Sequence, residues 1–318
     1  MDRDRVPVSQ ALLSATGTDA PPWQEQVGPN RRKRRAVSSD RSRPDLHERL
    51  TVVEPRRGFR RLDLRELWAY RELLFMFASR DARVRYKQTV LGVAWAVLRP
   101  LLGMAIFTVV FGRLAKLPSE GAPYAVFVFA GLLPWTFFST VLTAGAESLV
   151  GSQGLISKIY FPRLLVPLSQ LGVPLLDLGI GIVLMFALAL AHGVALTSGL
   201  LLLPALVLLL TLSTLGPLVL LSALTVSFRD FRHVTPFLLQ LWMYATPVVF
   251  PASMVPDRLR PLIYLNPAAG PVEAFRAAVL DRPVDWGGVA LSFGVALIAL
   301  IGATIYFARV EDRFADIV

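Results

Sequence analysis

The sequence predicts an all-α integral membrane protein with six transmembrane helices, an N-terminal amphipathic interface helix, and re-entrant helices between spans five and six. Hydrophobic residues make up 54% of the 318 residues, and the mean hydropathy is +0.54. The first ~60 residues are polar, so the remainder is more apolar than this average suggests. Beyond them, six segments each carry the ~20 apolar residues that a helix needs to cross a bilayer.

Composition divides the chain into three regions. Residues 1–60 hold several prolines and the basic run Arg31–Arg35, which predicts a disordered basic cytoplasmic tail. Residues 61–88 contain an amphipathic interface helix, Leu62–Phe77, with Trp68 and Tyr70 at head-group level, followed by a basic ramp. Residues 89–318 form the transmembrane domain. Its predicted spans cover about 89–112, 124–146, 165–190, 199–226, 234–250 and 288–308.

The basic ramp predicts the orientation of the protein. Four of the eight residues from Arg80 to Lys87 are basic, whereas the next two dozen residues contain one charge, Arg99. Because basic residues stay cytoplasmic during insertion, both termini are expected inside. The loop after span five weakens this asymmetry. Its basic residues are Arg258, Arg260, Arg276 and Arg282, and its acidic ones are Asp257, Glu273, Asp281 and Asp285.

Charge and motifs exclude several classes of protein. The net charge is +10, but the cationic excess sits in the tail and before the first span, where topology explains it, so no nucleic-acid partner is expected. The absence of cysteine excludes disulfides and thiolate metal sites. No Walker, Rossmann, zinc-protease or hydrolase motif occurs, so we expect neither enzymatic activity nor a directly bound cofactor or metal.

The segment between spans two and three, SQGLISKIYFPR, is too polar for a span and too apolar for a free loop. Leu155, Ile156, Ile159 and Phe161 would cover one side of a short helix parallel to the membrane, and Pro162 would end it. Such a helix suits docking of a cytoplasmic partner. A simple interfacial connector explains the pattern equally well.

The region around span five contains repeated prolines, at positions 236, 247, 251, 256 and 261. Proline in a span frees backbone carbonyls, which are tolerated only where protein or water can satisfy them. We therefore predict a re-entrant segment over residues 248–263. The candidate channel or gate residues are Trp242, Tyr244, Phe250, Met254 and Tyr264. Interface belts or core packing would explain the same aromatic residues.

Asp177 is a carboxylate within the third predicted span, about 14 residues and ~20 Å along the helix. An ionisable group at that depth is a functional candidate. We expect structural hydrogen bonding with a neighbouring Ser, Thr or Gln. The alternative is a proton-coupled secondary transporter that uses Asp177.

The remaining candidates are cations at the cytoplasmic entrance, namely Arg83, Arg85, Lys87 and Arg99. Topology explains most of them, but Arg99 lies inside an apolar run. Guanidinium groups are well shaped for binding phosphate. Our hypothesis is that some of these residues hold an anionic head group.

Four ordered segments resemble those of bacterial ABC-2 type permeases, and most closely the polysaccharide and polyol-phosphate exporters, which include O-antigen and teichoic-acid transporters. These segments are RVRYKQTVLGVAWAVLRP, SKIYFPRLLVP, SFRDFRHVTPFLLQLWMYATPVVFP and LNPAAGPVEAFR. The resemblance covers roughly residues 62–313, and the first ~60 residues depart from it.

The resemblance implies a homodimer in the bacterial inner membrane with two separate ABC ATPase subunits, which would bind ATP and Mg²⁺. It implies that a polyprenyl-pyrophosphate-linked glycan or polyol-phosphate polymer is exported, with its pyrophosphate near the basic entrance residues. It makes the segment from Ser152 to Pro162 a coupling helix, and the segment from Pro251 to Arg276 an outer gate. The coupling residues are then Gln153, Ile156, Lys158, Tyr160 and Phe161.

Two further functions stay open at this point. One is an ABC exporter of small lipids or drugs, which would share the same fold. The other is a membrane-bound enzyme acting on polyprenyl-linked sugars. The enzyme fits the sequence less well, because no cluster of acidic or histidine residues is expected on one side of the membrane.

Overall fold

The computed structural model describes residues 64–87, 94–195 and 197–311, and in these ranges it is helical with no β-strand. Residues 1–63, which include the predicted disordered tail, lie outside the described ranges, as do residues 88–93, residue 196 and the last seven residues. The helices, in chain order, are α1 (Leu64–Ala69), α2 (Arg71–Lys87), α3 (Ala94–Phe107), α4 (Tyr124–Gly151), α5 (Gln153–Ile156), α6 (Leu165–Ser169), α7 (Gly172–Ala191), α8 (Leu203–Ser227), α9 (Phe231–Tyr244), α10 (Arg260–Tyr264), α11 (Ala269–Val279) and α12 (Trp286–Val310). The all-helical membrane fold is confirmed.

Five of the helical segments are long and apolar enough to cross a membrane. A π-helical turn, Thr108–Leu114, extends α3, and a 3-10 turn, Ser198–Leu202, precedes α8. The five segments are Ala94–Leu114, Tyr124–Gly151, Leu165–Ala191, Ser198–Ser227 and Trp286–Val310. They correspond to predicted spans one, two, three, four and six.

The fifth predicted span, 234–250, is not one continuous helix. Helix α9 has 14 residues, and at 1.5 Å per residue it is about 21 Å long, short of a hydrocarbon core of about 30 Å. After Tyr244 the chain leaves the helix, passes through turns and a 3-10 turn at Ala252–Met254, and forms α10 and α11. The predicted re-entrant segment over 248–263 therefore consists of short pieces. Burial is greatest further along, in α11, which packs against α4, α8 and α12.

The interface helix extends further than its amphipathic pattern predicts. Helix α2 continues from Arg71 through the basic ramp to Lys87. Phe77 faces the protein and is 5% exposed, whereas Phe75 on another face is 76% exposed. Apolar residues on two faces suit a helix with protein on one side and lipid on the other.

Helix α4 is the centre of the bundle. In its most apolar 18-residue stretch 78% of the residues are buried, against 6% in the first span. Helices α8 and α12 pack against each other most extensively, and Gly216 of α8 lies directly against the backbone of α12. A Cβ atom at Gly216 would approach the Leu300 nitrogen to 2.7 Å and the Ala296 oxygen to 3.0 Å. Small residues at such crossings let membrane helices approach closely.

Contacts between loops place alternate loops on the same side. On one side, Arg232 lies 3.5 Å from Glu147, and Arg163 donates to the carbonyl of Glu311. On the other side, Arg282 forms an ion pair with Glu120. The loops after α4 and α8 and the C-terminal end of α12 therefore share one side of the bundle, and the loops before α4 and α12 share the other.

We expect Gly216→Ala to destabilise the protein by about 1–3 kcal/mol, because the added methyl group meets main-chain atoms that cannot move aside. The matched control is Gly294→Ala on α12, where a Cβ atom meets nothing within 4 Å. Alanine favours helix over glycine, so this control should not lose stability. Thermal unfolding midpoints of the purified proteins in detergent compare the two. Equal midpoints would contradict close packing at Gly216.

Candidate functional site

Asp177 of α7 binds the C-terminal end of α2. The Arg85 Nη2 atom lies 2.7 Å from Asp177 Oδ2, and the Tyr86 hydroxyl donates to Asp177 Oδ1 at 2.5 Å. Burial, and then the hydrogen bond to Asp177, raises the pKa of Tyr86 to about 12. The phenol therefore remains a neutral donor at physiological pH. The carboxylate joins two helices whose contacting residues lie 91 positions apart in the sequence.

This arrangement corrects two expectations about Asp177. Its partners come from the basic ramp and are not the neighbouring Ser, Thr or Gln residues. The third span is also interrupted by turns at Gln170 and Leu171, so Asp177 is five residues from the start of α7, about 8 Å along its axis. Asp177 therefore lies at the level where α2 ends, within the span Leu165–Ala191, whose helix is interrupted before α7.

Helix α2 is positioned by contacts along its inner face. Phe77 packs edge-to-face against Phe161, with ring centroids 5.7 Å apart. One turn later Asp81 accepts a hydrogen bond from Gln170 Nε2 at 3.1 Å. Aromatic and polar contacts together fix the register that brings Arg85 to Asp177.

A cavity of about 60 Å³ opens beside the ion pair, large enough for a few water molecules. Arg99 lies in its wall with its guanidinium 5.8 Å from the Trp95 ring centroid. The polar and aromatic lining includes Arg85, Trp95, Arg99, Thr136, Thr140 and Asp177. The guanidinium groups of Arg85 and Arg99 and the hydroxyl groups of Thr136 and Thr140 can donate hydrogen bonds to an anionic group that replaces water, whereas the Asp177 carboxylate is occupied by Arg85.

The four predicted entrance cations are thus divided into two pairs. Arg85 and Arg99 line the cavity, whereas Arg83 and Lys87 are exposed and do not. Arg83 donates back to the Ser79 carbonyl and hydroxyl within its own helix. That these cations bind an anionic head group stays a prediction, and Arg85 and Arg99 are the two residues placed to do so.

The predicted coupling helix is shorter than expected. Helix α5 has four residues and ends at Ile156, and the chain continues in turns to Pro162. Lys158 and Tyr160 are exposed, Gln153 and Ile156 are half-buried, and Phe161 is buried against α2. Phe161 therefore faces the protein and anchors the segment. The surface open to a partner is 157–160, and its coupling role stays a prediction.

Trp242 belongs to a polar network where α9 ends. Its Nε1 donates to Asn266 Oδ1 at 2.8 Å, Asn266 Nδ2 donates to Thr246 Oγ1 at 2.7 Å, and Thr246 donates to the Trp242 carbonyl at 2.8 Å. The Trp242 ring also packs edge-to-face on Phe138 at 5.2 Å. The network fixes the direction in which the chain leaves α9.

The other four predicted gate residues are spread around this point. Tyr244 and Met254 are exposed, Phe250 is half-buried against the core, and Tyr264 is 4% exposed. The Tyr264 carbonyl accepts a hydrogen bond from Ser292, which ties α10 to α12. Tyr264 is therefore packed in the protein, and the gate role of the set stays a prediction.

Arg276, the most buried charge in this region, lies in what the sequence pattern predicts to be a loop. Arg276 of α11 is 2% exposed and lies 2.7 Å from Glu273 one turn earlier. Neither residue belongs to a loop, so the loop after span five is less basic than its sequence suggests. The signal that could have found them is their spacing, since residues three apart on a helix can pair. In the described part of the chain, no group of three or more His, Cys, Asp or Glu side chains is placed to hold a metal.

These features define a polytopic helical membrane protein with an interface helix, a broken fifth span and a cation-lined cavity. Residues 72–280 match the family model of the ABC-2 type transporters. The chain belongs to the ABC-2 type transporter family, and the resemblance seen in its four sequence segments is confirmed.

The relatives are named as permeases of O-antigen export or as polysialic acid transport proteins. The chain is 31% identical over 256 residues to the O-antigen export system permease protein RfbA of Myxococcus xanthus, covering 80% of this chain and 98% of that protein. It is 25% identical over 250 residues to the Klebsiella pneumoniae protein of the same name, covering 77% and 95%. It is 25% identical over 245 residues to the polysialic acid transport protein KpsM of Escherichia coli, covering 76% and 93%.

Replacing Arg85 with Gln should loosen the end of α2, because it removes the ion pair to Asp177. The pair is partly exposed, so we expect a loss of about 1 kcal/mol in the free energy of unfolding. Arg83→Gln removes the same charge from the same helix, but among the described residues the hydrogen bonds of Arg83 go to Ser79 of its own helix, so it should have little effect. Thermal midpoints of the purified variants test this, and equal losses from both substitutions would contradict the role assigned to Asp177.

Proposed function

We propose that this protein is the permease subunit of an ATP-driven exporter that moves a polyprenyl-pyrophosphate-linked polysaccharide or polyol-phosphate polymer across the bacterial inner membrane. The observation that carries the proposal is the cavity between Arg85 and Arg99. It combines two guanidinium groups, one of them in an ion pair with Asp177, with an apolar wall, which suits a phosphorylated head group at the end of a lipid chain. That the substrate is a polymer is proposed from the family and from the names of the relatives.

The proposed assembly is a homodimer with two ABC ATPase subunits. The first span supports the homodimer, because only 6% of the residues in its most apolar stretch are buried within one chain. The exposed turn 157–160 supports ATPase docking, since it lies on the same side as the loop after α8 and the C-terminal end of α12. With Arg276 and Glu273 removed from the loop count, basic residues favour this side as cytoplasmic, together with both termini.

In this proposal Asp177 has a structural role, which is to hold the C-terminal end of α2 against α7. Its carboxylate is engaged by a guanidinium and a phenol on one neighbouring helix. A proton relay needs carriers along a path, whereas these contacts join two helices at one level. We therefore propose ATP as the energy source and not a proton gradient.

The docking proposal predicts that Ile159→Glu will sharply reduce recovery of the ATPase subunit with the tagged permease. Ile159 is 57% exposed on the proposed coupling surface, and a carboxylate there would have to be buried on docking. Leu259→Glu is the matched control, because Leu259 is 50% exposed before α10 on the opposite side. Co-purification from native membranes in mild detergent, with mass spectrometry, measures recovery. Absence of any ATPase from the unmodified protein would overturn the proposed function.

The head-group proposal predicts that Arg99→Gln will weaken stimulation of ATPase activity by a polyprenyl pyrophosphate. We expect a loss of about tenfold in apparent affinity, typical of one charge-assisted contact. Arg99 is the sharper test because Asp177 already pairs with Arg85. Arg113→Gln removes an exposed charge at the other end of the first span and should have no effect. The complex is assayed in vesicles with and without polyprenyl pyrophosphate, and unchanged stimulation in Arg99→Gln would exclude this cavity.

A further inference from the structure

Residues 245–253 follow α9 without forming a regular α-helix, in a chain that must cross a bilayer. Such backbone is tolerated at membrane depth only where its polar groups find partners in the protein or in water. Pro247 and Pro251 have no N–H, so each leaves a carbonyl group without the donor that a helix would normally supply. Despite this, Val248 is 0% exposed and Val249 is 5% exposed. The segment is therefore buried and depends on other donors.

The guanidinium of Arg276 supplies most of those donors. Its Nη2 donates to the carbonyls of Pro247 and Val248, both at 2.6 Å. Its Nη1 donates to the Phe250 carbonyl at 3.4 Å and to Glu273 at 2.7 Å. Within the described residues, the Arg276 Nε is the one nitrogen of this guanidinium that lacks an acceptor. One planar side chain thus replaces hydrogen bonds that a continuous helix would have made.

Other elements hold further polar groups of the segment. The Tyr124 hydroxyl of α4 donates to the Val249 carbonyl at 2.7 Å. The Ala252 N–H donates to Glu273 at 3.3 Å. Ser253 donates to Glu120 at 2.5 Å, and Glu120 is also the partner of Arg282. The segment is therefore fastened to α4, to α11 and to both loops on its side of the bundle.

The surroundings of Arg276 fit a guanidinium closely. Its Cζ atom lies 4.1 Å from the Phe127 ring centroid, in a cation–π contact. Gly131 lies beside it, where a Cβ atom would collide with Nη2 and approach the Val248 carbonyl to 2.8 Å. A lysine ammonium is a single point donor and cannot reach several carbonyls and a carboxylate with the same planar geometry.

Residues 245–253 follow directly after an exposed face of α9. Phe237, Leu241 and Tyr244 are 62%, 52% and 52% exposed along this helix, and the chain turns into the core directly after them. We propose that Arg276 is a positioning residue that fixes residues 247–250 as the seal at the outer end of the translocation path. The inference rests on the proposed function, because only a transporter has a path to close.

The test measures passive leakage through the full-length protein in liposomes loaded with carboxyfluorescein, without ATP or a partner subunit. The unmodified protein should retain the dye. Arg276→Met should release it about tenfold faster, because loss of several contacts made only in the closed arrangement shifts the population of that arrangement. Arg276→Lys should fall between the two. Arg260→Met is the matched control, because Arg260 pairs with Asp257 at the same spacing but near the surface, and it should not leak.

Two further variants keep the inference testable if Arg276→Met does not fold. Tyr124→Phe removes only the donor to Val249, and Gly131→Ala crowds the guanidinium, so both should leak while eluting as single species in size-exclusion chromatography. A folded Arg276→Met or Tyr124→Phe protein that retains dye as well as the unmodified protein would overturn the inference. This result is independent of the proposed function, which fails if no ATPase co-purifies.

Discussion

The hydrogen bonds from Arg276 to the chain after α9 are the interaction on which the interrupted region between α9 and α11 depends. A bilayer offers no solvent for a free carbonyl, so the fifth span can stop after Tyr244 only if another donor is present. A buried arginine is itself expensive unless it is paired and hydrogen-bonded. Glu273 forms an ion pair with the guanidinium, the Phe127 ring makes a cation–π contact with it, and Gly131 lacks the Cβ atom that would collide with it. These residues come from α4 and α11, which explains why α11 must pack against the central helix.

The opposite side of the protein is organised by α2. Its middle packs through Phe77 on Phe161, next to the exposed turn 157–160, and its end binds Asp177 through Arg85 and Tyr86. The same helix therefore touches both the segment proposed to dock the ATPase and the cavity proposed to hold the head group. Helix α2 therefore connects the two proposed sites within one element. In the proposed exporter, α2 is the element that lies between the lipid-binding cavity and the surface that docks the ATPase.

The sequence predicts those features that depend on local pattern. Five spans follow from apolar runs of sufficient length, and the family follows from four ordered segments. The break after α9 is visible in Pro247 and Pro251, which cannot donate backbone hydrogen bonds. The partners of Asp177 are not visible, because Tyr86 is 91 residues away and hydropathy carries no information about pairing. Arg276 resembles a loop charge because prolines and polar residues precede it, while its burial depends on carbonyls 28 and 29 residues earlier.

Hydrogen–deuterium exchange of the peptide covering Thr246–Met254, in the protein reconstituted into lipid nanodiscs, tests most directly whether the break is a held structure. The amide of Thr246 donates to Met243, that of Val248 to Thr246, and that of Ala252 to Glu273. With Arg276 in place these amides should exchange slowly, as slowly as those of α11, and Arg276→Met should accelerate them selectively. Rapid exchange in the unmodified protein, at the rate of an exposed loop, would contradict this account of the fifth span.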